Sequence, residues 1–141
     1  MEGLSPLRKT LVGLAIAAGV VFFVWTAVNS FTTAYQSVQN LAHADMKERI
    51  IYSACKQYAG EHGGNFPPSL DALFPAYLSD RSALVSPLKP DEPLGYLYTP
   101  PPAAKLKSPD FVVLEDKFAP TLIQRRICCY ADGHVRVVPN P

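Results

Sequence analysis

The sequence predicts an α+β protein in which a long N-terminal helix, partly in a membrane, packs on a small antiparallel sheet. Three observations carry this prediction. An uncharged apolar run fills Leu11–Val28. An amphipathic stretch follows over 34–62, with no proline between Leu7 and Phe66. Short β-rich runs then close the chain around an Asp-Gly turn.

The apolar run LVGLAIAAGVVFFVWTAV has the length of a membrane span: eighteen helical residues rise about 27 Å, close to a hydrocarbon core. Trp25 sits near its far end, where an amphipathic ring suits the interface. Arg8 and Lys9 flank the near end. The positive-inside rule then gives a cytoplasmic N-terminus over 1–10, a membrane helix over 11–30 and an exported domain over 31–141. A cleaved leader ending near Val28-Asn29-Ser30 is the rival, and it too exports the domain. The apolar run is longer than the h-region of such leaders. Ala15, Ala18 and Gly19 offer a small-residue face without a GxxxG spacing.

Charge excludes one class of partner. The chain has 13 basic and 12 acidic residues, a formal net charge of +1. Arg8, Lys9 and Glu2 precede the span, so the exported part is formally neutral. No basic footprint for nucleic acid exists.

The stalk helix over 34–62 shows apolar residues at helical spacing: Val38, Leu41, Ala44, Ile51, Ala54, Cys55 and Tyr58, widened by Met46 and Ile50. Lys47, Glu48, Arg49, Lys56, Gln57 and Glu61 fill the remaining positions. Gly63-Gly64-Asn65 stops the helix. Ser69 is the expected N-cap of a short helix through Phe74, and Leu70, Leu73 and Phe74 point inward. Tyr77 and Leu78 anchor this segment to the core, and Phe66 is a further structural residue.

Residues 86–109 hold seven of the 14 prolines, which excludes a core helix. Gly95-Tyr96-Leu97-Tyr98 is a short strand within this proline-rich loop. The loop is also the surface best placed to meet a partner. The C-terminal sheet spans 111–138, with strands at 111–115, 122–130 and 134–138. Asp132-Gly133 fits a two-residue hairpin turn. That turn pairs Tyr130 with Val135, Cys129 with Arg136 and Cys128 with Val137. Cys128, Tyr130, Val135 and Val137 then form the apolar face against the stalk. A disulfide between Cys55 and Cys128 becomes a candidate, against the simpler reading of three buried thiols.

Catalytic and metal chemistry find little support. No nucleophile elbow, HExxH motif or phosphate-binding glycine loop is present, so no enzyme activity and no cofactor are expected. His134 lacks the convergent donors of a transition-metal site. Asp110, Glu115, Asp116 and Asp132 offer oxygen donors without a calcium-loop spacing. Glu115-Asp116 reads as a wet strand end.

The order of these segments resembles the major pseudopilins of bacterial type II secretion systems. The resemblance rests on the membrane-plus-stalk helix, then Gly64-Asn65-Phe66-Pro67-Pro68-Ser69-Leu70-Asp71-Ala72-Leu73, Pro75-Ala76-Tyr77-Leu78, Gly95-Tyr96-Leu97-Tyr98 and Tyr130-Ala131-Asp132-Gly133-His134-Val135. It implies a pilin-like fold and a structural role at the inner membrane. The domain would be periplasmic, and membrane lipid, pilin-like subunits or secretion components, and further copies of the chain would be partners. The family's glycine–aromatic–glutamate processing signature is missing after both Gly3 and Gly13. The alternative function is an exported, membrane-tethered binding module that uses the proline-rich loop.

Overall fold

The structure is a computed structural model that describes residues 5–141; the side chains of 33–38 lie outside the description, and with them Val38 of the expected stripe. Helix α1 runs without interruption over Pro6–Glu61. Two compact units divide the chain, one up to Gln39 and one over Asn40–Pro141. In the first, Pro6–Thr32 is long and apolar enough to cross a membrane. Leu14, Phe22, Phe23 and Trp25 are among its exposed side chains.

In the second unit α1 lies against a four-stranded antiparallel sheet in the order β1-β2-β3-β4. The strands are β1 (Tyr96–Tyr98), β2 (Val112–Asp116), β3 (Arg125–Tyr130) and β4 (Val135–Pro139). A one-turn helix, α2 (Ala119–Leu122), links β2 to β3 where the sequence suggested continuous strand from 122. The α+β architecture and the strand near Gly95 agree with the sequence reading.

Helix α1 buries Ile51, Ala54 and Cys55 with Leu70, Leu73, Leu78, Leu84 and Leu114, and Ala44 with Ala119 and Ile127. Leu41 and Tyr58 are half-buried. Met46 and Ile50 do not widen this stripe, since both are exposed. Glu48 occupies it instead and is wholly buried. The helix ends as expected, with Gly63 and Gly64 at φ 65° and 88° and the Gly64 amide donating to the Ala59 carbonyl at 2.7 Å. Ser69 does precede a short helix, a 3₁₀ turn over Leu70–Leu73, but its side chain makes no capping bond. The Ala72 amide donates instead to the Ser69 carbonyl. Phe66, Phe74 and Tyr77 pack partly buried on the core, and the Tyr77 hydroxyl donates to Glu61 at 2.5 Å.

The hairpin register differs by one residue from the expectation. Cys129 pairs with Val135, Cys128 with Arg136 and Ile127 with Val137. The reason lies in the turn. The Gly133 amide donates to the Tyr130 carbonyl at 2.8 Å, and the Tyr130 amide to the His134 carbonyl at 2.9 Å. Only Gly133, at φ 92°, takes a left-handed conformation there; Asp132 does not. A two-residue type I′ turn needs both, whereas a three-residue loop needs one. The loop is therefore Ala131-Asp132-Gly133.

A one-residue slip exchanges the faces of a strand. Ile127, Cys129 and Val135 face α1, with Leu114, Tyr96 and Asp116 on the same side by register. Cys128 and Tyr130 belong to the outer face, where the Arg136 guanidinium lies 5.2 Å over the Tyr130 ring. Val137, expected in the core, is 38% exposed.

Candidate functional site

The polar atoms buried between α1 and the sheet form the most unusual cluster in the second unit. Asp116 ends β2 pointing inward and is wholly buried, not a wet strand end. Its Oδ2 accepts from the Ser86 hydroxyl at 2.5 Å. Its Oδ1 accepts from the Phe118 and Ala119 amides at 2.8 and 2.9 Å, which ties α2 to the sheet. Ser86 is brought there by Gly95. A Cβ at Gly95 would stand 2.4 Å from the Ser86 nitrogen, so only glycine permits this approach.

Glu48 reaches the same region from α1. Both its carboxylate oxygens are buried without a hydrogen-bond partner, and so is the Tyr96 hydroxyl. Loss of hydration pushes the Glu48 pKa up to about 9, and the negative charge of Asp116 adds to the effect. The Asp116 backbone amide opposes this shift without reaching hydrogen-bond geometry. The Tyr96 hydroxyl is pushed up as well, by burial first and then by Asp116 and Glu48. Sequence reasoning placed Glu48 in water. Its spacing held the signal, because position 48 stands four after Ala44 and three before Ile51.

The cysteines separate by face. All three are free and buried. Cys55 shares the inner core with Cys129, whereas Cys128 lies on the outer face opposite Glu115 and Arg136. The Cys55–Cys128 pairing therefore fails on topology. Burial raises Cys55 and Cys129 to about 12 and Cys128 to about 11, leaving them as thiols at neutral pH.

At the hairpin Asp132 does local work. Its Oδ1 accepts from the His134 amide and its Oδ2 contacts His134 Nδ1, both at 3.0 Å. The amide contact is the main reason the Asp132 pKa lies below its ordinary value. The Tyr52 hydroxyl donates to the Ala131 carbonyl at 2.7 Å, seating α1 on the turn. Asp132, Gly133 and His134 thus shape the loop. Among the described residues no group of three or more His, Cys, Asp or Glu comes together as a metal site.

The proline-rich segment borders a cleft of about 460 Å³ beside β1. Leu70, Leu84, Pro93, Leu94 and Tyr98 line it, with the exposed Asp71–Arg81 ion pair at 2.7 Å on its rim. Pro93, Leu94 and the aromatic residues of β1 reach this cleft from the 86–109 segment. No family model, curated protein or solved structure matches the chain.

Proposed function

We propose that the protein is a membrane-anchored, pseudopilin-like structural subunit. The observation that carries this reading is α1, a single helix whose apolar start passes without a break into a stretch with a sheet-facing stripe. Arg8 and Lys9 orient the domain outward across the inner membrane. The exposed apolar start is a surface for lipid and for neighbouring helices of pilin-like subunits or secretion components. The cleft beside β1 favours the second reading, a tethered module that captures a partner through its proline-rich segment.

Cross-linking in membranes of the native host, followed by mass spectrometry, separates the two. The structural reading expects retention after carbonate extraction and links between copies, or to pilin-like proteins, through the 11–30 segment. Extraction by carbonate would overturn the anchor. Retention as single copies, linked to a foreign protein at the cleft, would replace the subunit reading with the tethered-module one.

A further inference from the structure

Glu48 is wholly buried, neither of its carboxylate oxygens has a hydrogen-bond partner, and the dipole of the Asp116 amide is all that favours a negative charge there. The negative charges of Asp116 and Glu115 on β2 and of Asp45 on its own helix all act on it. Tyr96 on β1 and Cys128 and Cys129 on β3 share its electrostatic environment. None of these is a cation. The basic side chains nearest in sequence are engaged elsewhere. Lys47 Nζ donates to the Ser82 and Val85 carbonyls at 2.8 Å, and Arg49 pairs with Asp45 at 3.0 Å. Arg126 is held by Glu115. Three donors hold the Asp116 carboxylate, whereas none holds that of Glu48.

A carboxylate sealed in this way costs far more than a neutral acid. The neutral acid is still left unsatisfied, so an apolar residue of the same shape would serve the core better. Glu48 is therefore poorly explained as a packing residue.

We propose that Glu48 is a proton-dependent latch: as a neutral acid it lets α1 seat on the sheet, and on ionising it drives the Ala44–Cys55 stretch of α1 off the sheet toward water. The sign follows from linkage. The folded pKa, about 9, lies above the ordinary 4.5. The folded protein thus keeps a proton that the unfolded chain releases. The stability this contributes is complete below the ordinary value and is lost as pH rises through about 9.

The test uses the full chain in detergent micelles, as wild type and Glu48→Gln. The amide mimics the neutral acid but cannot ionise. Infrared difference spectra should show a protonated-carboxyl stretch in the wild type at neutral pH that the variant lacks. Between about pH 6 and about pH 10 the wild-type melting midpoint should fall by roughly 10–20 °C more than the variant's. Trypsin cleavage after Lys47 and Arg49 should rise with pH only in the wild type. If the variant does not fold, the wild-type infrared band decides alone. Absence of that band, parallel melting curves or equal cleavage would overturn the latch. So would a wild-type midpoint raised by calcium or magnesium and lowered again by chelator, because a cation would then be neutralising Glu48.

Discussion

The two faces of β2 handle adjacent carboxylates in opposite ways. Glu115 points outward and meets Arg126 through two contacts of 2.6 and 2.7 Å, with water still reaching both side chains. Asp116 points inward, where it forms no ion pair among the described residues and is held by one hydroxyl and two amides. Glu48 faces the same interior with no hydrogen-bond partner on either oxygen. Charge can be answered on the outer face by an opposite charge that stays wet. In the interior it must be answered by fixed dipoles or removed by a proton.

The largest effect that would break this contrast is at Asp116. Asp116→Ala should cost about 3–5 kcal/mol, because it strands buried donors and frees α2 from the sheet. Urea unfolding measures it. A loss within about 1 kcal/mol would mean that dipoles do not organise the inner face. Gly95→Ala comes next, at about 1–3 kcal/mol, since the new methyl group meets Ser86 backbone and not a yielding side-chain tip. Its melting midpoint should drop. Ser86→Gly should recover only part of that drop, because the backbone clash remains while the Asp116 contact is lost.

The sequence showed the elements better than their faces. Strand positions were legible from β-branched and aromatic runs, and the end of α1 from its paired glycines. The turn Asp132-Gly133 was legible as a turn but not as a register. Its residues satisfy a two-residue and a three-residue loop alike, and the choice rests on whether Asp132 adopts positive φ. That one torsion moved Cys128 and Tyr130 to the outer face and removed the basis for a Cys55–Cys128 bond. Glu48 and Asp116 were hidden for a different reason. A charged identity argues for water, and only the helical spacing of Glu48, or the tertiary approach of Ser86 to Asp116, argues against it. Packing overrode residue type at both positions, and there the candidate site lies.

The smallest effect sharpens the contrast most cleanly. Arg126 and Glu115 keep 33% and 16% of their side-chain surface exposed. Water and salt therefore screen the pair, and its bidentate geometry recovers only part of what screening removes. A double-mutant cycle with Arg126→Met and Glu115→Gln should give a coupling of about 0.5–1 kcal/mol in urea unfolding. Raising the salt toward about 1 M should reduce that coupling, because the screening length falls to about 3 Å. The interior cluster should respond differently: the pH-dependent difference between wild type and Glu48→Gln should persist at the same salt, since mobile ions do not enter a sealed core. If both differences shrink together, Glu48 is reached by solvent. If only the outer pair weakens, the sheet divides a screened surface from an unscreened interior.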